Sequence, residues 1–394
     1  MNRVKWIFKI IISVGIVILT FLAVQRLVQP KYSEDVIEGN FTAEYYEETT
    51  DHDVILIGDC EVYENIDPIY LWSHYGITSY IRGNAQQLTW QSYYMLEDTL
   101  RTETPKAVIY NVQALVYAEP QREEYNRMAL DGMRWSSTKY KAIRTSMCAE
   151  EDFADYLFPL FRYHSRITEL TSDDFRYFWK QPKISHNGYY MRTDVMPVSE
   201  SDVADPSWLL GDEEDEDEEE EIEDPWADIE GAQSDEEEEN TFVADAKKGE
   251  PFGSLPMEYL DKIRLLCESR GIQLILMKAP SLAPEWYDSD NQQVVDYAQK
   301  YDLPYINFYE LLEETKIDYE TDTYDGGLHM NLSGADKLSE YLGGVLTGEY
   351  QLPDHRGDPV YDEVYREKLE FYEDMKKQQQ REIEQYGEIR NFII

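Results

Sequence analysis

Residues Val54-Ile55-Leu56-Ile57 form an unbroken apolar run that stops at Gly58 and delivers Asp59-Cys60. Such a short aliphatic run reads as a strand buried on both faces, as in parallel sheets. The pattern recurs. Ile77 to Ile81 is a second run, ending at Gly83, and Ala107 to Tyr110 is a third. Ile272 to Met277 and Pro304 to Phe308 complete a set of five. Helical spacing fills the intervals at Gln86–Leu100, Met257–Ser269, Gln292–Tyr301 and Ser333–Leu346. Gly271 supplies a C-terminal stop for the second of these. Alternating buried strands and helices predict an α/β fold: a three-layer α/β/α sandwich with a five-stranded parallel sheet in the order 2-1-3-4-5.

The formal net charge of -44 narrows the partners. Thr193 to Ala246 holds 24 acids and no Lys or Arg, more than half of the imbalance. The remainder is still acidic and shows no basic cluster, so nucleic acid is excluded as a partner. Asp212 to Glu221 is an unbroken acidic block. Self-repulsion and the lack of an apolar face predict a disordered insertion over 193–250. Ile10 to Val24 is uncharged and mostly apolar, and Trp6 to Phe8 extend it past Lys9. This approaches the length needed to cross a bilayer. Arg3, Lys5 and Lys9 precede the run, favouring a cytoplasmic N-terminus. With no small-residue cleavage site after it, the segment reads as an uncleaved signal-anchor and the body as exported.

The expected organisation is a cytoplasmic stub and anchor over 1–31, a polar stalk over 32–51 and an α/β domain over 52–348. That domain carries a helical insertion at 121–192, and a charged helix follows at 349–394. The three cysteines, Cys60, Cys148 and Cys267, are an odd count; Cys148 could pair with Cys267. No CxxC or HExxH is present, and no metal or cofactor is expected. Of the six histidines, His52 reads as exposed before the first strand, and His74, His164, His186 and His355 as structural or loop residues. Core packing is the default for the aromatics, with Trp72 and Trp90 as candidates for stacking on sugars.

Open parallel sheets place ligands at the carboxyl ends of their strands. Gly58-Asp59-Cys60 ends the first strand, Gly83 the second and Asn111 the third; Asp325 and His329 follow the fifth. A nucleophile at a strand end and a His with a carboxylate neighbour are the parts of an acyl-transfer site.

This ordered set resembles the SGNH (GDSL) hydrolase superfamily. That family has a Gly-Asp-Ser block after strand one, then a Gly, an Asn and a C-terminal Asp-x-x-His. The resemblance spans roughly residues 50–120 and 255–348. It looks most like the membrane-anchored, exported members that accompany cell-surface polymer acylation, such as the alginate acetylation proteins and the D-alanyl transfer protein of teichoic acids. It implies a flavodoxin-like fold of SGNH type. Cys60 would stand as the nucleophile, His329 as the general base and Asp325 as its orienting carboxylate. The N–H groups of Cys60 and Gly83 and the Asn111 amide would line an oxyanion hole. Implied partners are a cell-surface polysaccharide or other acylated polymer, and a membrane-bound O-acyltransferase.

Two departures from the family pattern stand out. Cys60 replaces Ser, which leaves open a catalytically lapsed protein that binds glycan or an acyltransferase partner. Asp325 lies four residues before His329 rather than three. Gly326-Gly327 could absorb the extra residue in a turn, or Asp322 could serve instead.

Overall fold

The computed structural model describes residues 2–32, 36–120, 122–149, 151–199, 249–283 and 286–393. Nearly all of the acidic insertion lies outside the described residues.

The protein is α/β. Strands β1 (Val54–Gly58), β2 (Ser79–Gly83), β3 (Ala107–Asn111), β4 (Gln273–Lys278) and β5 (Tyr305–Asn307) form one parallel sheet in the order 2-1-3-4-5. The strands read as continuous apolar runs because they are buried on both sides. Val54 and Leu56 of β1 enter one core with Ala107, Ile109, Ile275 and Met277. Ile55 and Ile57 enter the other with Val108, Tyr110, Leu274 and Leu276. Helices Pro68–Tyr75, Leu332–Gly348 and Pro359–Tyr386 supply the first core. Thr89–Thr99, Ser254–Arg270 and Asp288–Tyr301 supply the second.

The register aligns the strand ends. Gly58 lies beside Gly83, Asn111 beside Met277 and Lys278 beside Asn307. The polar residues that end the apolar runs are therefore drawn up along one edge of the sheet.

Four expectations are corrected. Residues 36–48 are no stalk: turns of helix over Ile37–Asn40, Phe41–Glu44 and Tyr45–Glu47 pack on the body. Ile37, Phe41 and Tyr45 recur every fourth residue and are buried, Phe41 edge-on to Tyr63 with ring centroids 5.3 Å apart. The acids between them masked that apolar stripe. Trp72 and Trp90 are core residues; Trp72 stacks on Tyr365 of the C-terminal helix at 3.9 Å and Trp90 is fully buried, so neither is open to a sugar. His52 is buried between Glu103 and Glu48, at 3.1 and 3.4 Å. None of the three cysteines is in a disulfide, so Cys148 and Cys267 do not pair.

The C-terminal helix packs along its length. Tyr372 donates to Asp67 at 2.5 Å, and Gln379 donates to the Met191 carbonyl at 2.8 Å. Phe392 returns to the Tyr190 ring at 5.1 Å. At the other end, α1 (Asn2–Val28) is long and apolar enough to cross a membrane, with a mean hydropathy of 2.7 and its span left bare by the rest of the chain.

Candidate active site

Cys60 opens a short helix, Cys60–Tyr63, at the end of β1, and the Asp59 side chain caps it by accepting from Glu61 N–H. The turn into this helix is tight. Gly58 has φ 155°, and a Cβ there would meet Asn111 Cβ at 2.8 Å. A Cβ on Gly83 would meet Val62 Cγ1 at 2.8 Å and the Asp59 carbonyl at 3.2 Å. Glycine at both positions lets β2 and β3 close around the end of β1, which fixes where Cys60 stands.

His329 comes from the loop before helix Leu332–Gly348, whose N-terminus is capped by Asn331 accepting from Ser333 and Gly334. Asp325 grips His329 twice. Its Oδ1 accepts from the His329 backbone at 2.8 Å, and its Oδ2 lies 2.6 Å from the ring Nδ1. The extra residue of the spacing is taken up by Gly326 and Gly327, at φ 76° and 92°, with the Gly327 N–H bound to Thr323 Oγ1 at 2.7 Å. Asp322 is engaged elsewhere, on Lys337 at 2.5 Å and the Asp318 N–H at 2.8 Å. Asp325 is therefore the residue that orients the ring.

Cys60 and His329 face one another. Burial pushes the Cys60 thiol up to about 11, and His329 pulls it back through its charge and a hydrogen-bond contact. Burial alone would lower His329, but the negative charges of Glu64, the Cys60 thiolate and Asp325 outweigh it and raise the ring well above its ordinary value. Both groups therefore hold their protons more tightly than they would in water. The neutral imidazole that removes a proton appears only as pH rises.

Glu64 belongs to the site and was not anticipated from the sequence. It lies one helical turn after Cys60, its carboxylate 3.6 Å from His329 Nδ1, and it accepts from the Tyr324 hydroxyl. Tyr324 lies nearly parallel to the His329 ring at 6.3 Å, and Arg192 covers Tyr324 at 4.2 Å. The spacing Cys60 to Glu64, i to i+4 at a predicted strand-to-helix turn, was the available signal.

The chain matches no family model and no curated protein.

Asn111 departs from the expected role. Its side chain is fully buried, and the amide donates to Asp59 Oδ1 at 2.9 Å and to Glu61 Oε2 at 3.1 Å. Both amide protons are committed at the sheet edge, so the side chain is not a free oxyanion donor in this state. Glu61 is the cause: it is drawn in by Lys278, fully buried, at 2.7 Å. Lys278 also donates to the Ala279 carbonyl at 2.8 Å. Burial, followed by repulsion from Glu61, pushes Asp59 up. Asp59 Oδ2 and Asn111 Oδ1 have no partner.

Glu64, Asp325 and His329 each bring one ligand atom within 4.8 Å of the others, a set that could hold a metal ion. Here Glu64 accepts a hydrogen bond from the Tyr324 hydroxyl and Asp325 accepts one from His329 Nδ1, so protein donors already serve these carboxylates.

Proposed function

We propose that this chain is a membrane-anchored, extracytoplasmic acyl esterase or O-acyltransferase of SGNH type, acting on cell-surface glycans and built as a three-layer α/β/α sandwich. One observation carries the reading: Cys60, His329 and Asp325 stand in line at the carboxyl edge of a parallel sheet ordered 2-1-3-4-5. That is the order nucleophile, base, orienting carboxylate. The apolar helix α1 supports the anchor, and the charges around it support a cytoplasmic N-terminus.

In this mechanism Asp325 holds the proton of His329 on Nδ1, leaving Nε2 for the thiol. His329 takes the thiol proton as Cys60 Sγ attacks the acyl carbonyl, and a tetrahedral intermediate forms. Backbone N–H groups at Cys60 and Gly83 stabilise its oxyanion. Collapse expels the alcohol, which recovers the proton from His329, and leaves a thioester on Cys60. Water or a sugar hydroxyl, deprotonated by His329, then attacks the thioester and frees the thiol. Which nucleophile arrives decides between hydrolysis and transfer.

A second reading is a lapsed relative that binds glycan or a membrane acyltransferase partner. The committed amide protons of Asn111 and the raised Cys60 thiol favour it. Hydrolysis of an activated acetyl ester by the full chain in detergent, beside Cys60→Ala and Cys60→Ser, separates the two. Turnover lost in Cys60→Ala supports the enzyme. Turnover appearing only in Cys60→Ser supports the lapsed relative.

A further inference from the structure

The polar end of α1 is gripped by the helical insertion. Arg26 donates to the Phe178 carbonyl at 2.8 Å, and Arg166 donates to the Val28 carbonyl at 2.6 Å. Lys31 folds back on the Arg26 carbonyl at 2.6 Å. Slightly deeper, Phe21 meets Phe158 with ring centroids 6.0 Å apart. Short helices Phe153–Leu157, Pro159–Arg162 and Ser172–Arg176 and the turn Ser165–Thr168 thus form a partial collar where α1 leaves its bare span.

Large apolar side chains stand on the outside of this collar, among polar ones. Leu157, Phe158, Phe161, Ile167, Phe175 and Trp179 are all exposed, Phe175 at 62% and Trp179 at 90%. Six large apolar side chains left open within one short segment mark an interaction surface. The occupant follows from position. A bare apolar helix is surrounded by lipid along its span, and whatever is clamped to its end is held at the bilayer surface. Phe21 is about one turn, roughly 6 Å, inside Gln25 along the helix axis. The depth at which amphipathic surfaces settle between headgroups and acyl chains is about 5–10 Å. Aromatic side chains are enriched at that level.

We propose that the 153–179 collar is a membrane-embedded foot, whose exposed Phe and Trp side chains enter the interfacial layer of the bilayer that α1 spans. The proposal rests on the reading of α1 as membrane-spanning. The foot fixes the tilt and height of the body, and so the distance of Cys60 from the membrane. The contact is made by apolar side chains, so it persists in high salt.

The test uses the full chain in nanodiscs of zwitterionic lipid. p-Benzoyl-phenylalanine is placed at Phe161, Phe175 or Trp179, and for comparison at Leu265, an exposed apolar residue on helix Ser254–Arg270. Irradiation should give lipid adducts from the first three positions and not from the fourth, at low and high salt alike. In F161D/F175D/W179D, with the benzophenone at Phe158, lipid adducts should fall about tenfold or more, since the withdrawn rings represent well over a decade of partitioning. The variant should still remain in the disc through α1. Adducts to a second copy of the chain, adducts equally from Leu265, or no adducts while the chain stays in the disc would each overturn the foot. Failure of the full chain to stay with the disc, scored before irradiation, would instead overturn the spanning role of α1, and the foot with it.

Discussion

The Asp325 carboxylate binds His329 at two points, the backbone N–H at 2.8 Å and the ring Nδ1 at 2.6 Å. A carboxylate that holds both the loop and the ring of the same residue sets the tautomer and the aim of that ring together. Asp325→Asn keeps the shape and removes the charge. It should lower acyl transfer by about 10²- to 10⁴-fold, the range for losing a properly held general base. Steady-state turnover of an activated ester, with circular dichroism to show an intact fold, checks this; a loss under about tenfold would mean that the ring is aimed by something else.

Glu64 is the strongest of the charges that raise His329 against the opposing effect of burial. Glu64→Gln should therefore move the alkaline rise in Cys60 reactivity to lower pH, because the imidazole gives up its proton more easily. The sign for stability is fixed as well. A histidine whose folded pKa is raised contributes stability that is full below its unfolded value, about 6.5, and is lost as pH rises through the folded value. Urea melts of the wild-type chain should thus weaken on the alkaline side, and Glu64→Gln should flatten that slope. An unchanged slope would show that Glu64 does not hold the His329 proton in place.

Burial holds the Cys60 thiol at about 11, with His329 working the other way. Alkylation of Cys60 by iodoacetamide, followed by peptide mass spectrometry, should be slow at neutral pH and climb steeply in the alkaline range. His329→Gln should shift the climb further up. Cys267, buried and pushed to about 12, should react more slowly still. Fast alkylation of Cys60 at neutral pH would show that His329 outweighs burial and the thiolate is already present.

The strands were legible because a parallel strand covered on both faces must be apolar at every position, so no alternation was needed to find them. Cys60 was legible for a related reason, since a polar residue that ends such a run has only the sheet edge to occupy; Asp325 and His329 were legible instead as an acidic turn and a lone His just before a helix. What the sequence hid depends on distant partners. Glu61 and Lys278 are 217 residues apart and meet at the edge, where they claim the amide of Asn111. His52 looked like a loop residue because neither Glu48 nor Glu103 announces itself as a partner. Ile37, Phe41 and Tyr45 carried a helical stripe, but the surrounding acids outweighed it on composition.

Lys278 and Glu61 form an ion pair in which both side chains are almost wholly buried. Lys278→Ala would leave Glu61 charged and unpaired, and should destabilise the fold by about 3–5 kcal/mol. The paired change K278M/E61Q should be much milder. Denaturant melts of both variants read this directly; equal losses would show that packing around Lys278, rather than the charge, is what matters.

With Cys60 as the nucleophile, the acyl-enzyme it forms can be measured directly. The full chain is mixed with an activated acetyl ester, quenched in acid and examined by intact-mass and peptide mass spectrometry. One acetyl group should appear on Cys60, be absent in Cys60→Ala and accumulate far more slowly in His329→Gln. No adduct on Cys60, or an adduct elsewhere that survives Cys60→Ala unchanged, would contradict the catalytic reading and leave the site a binding surface.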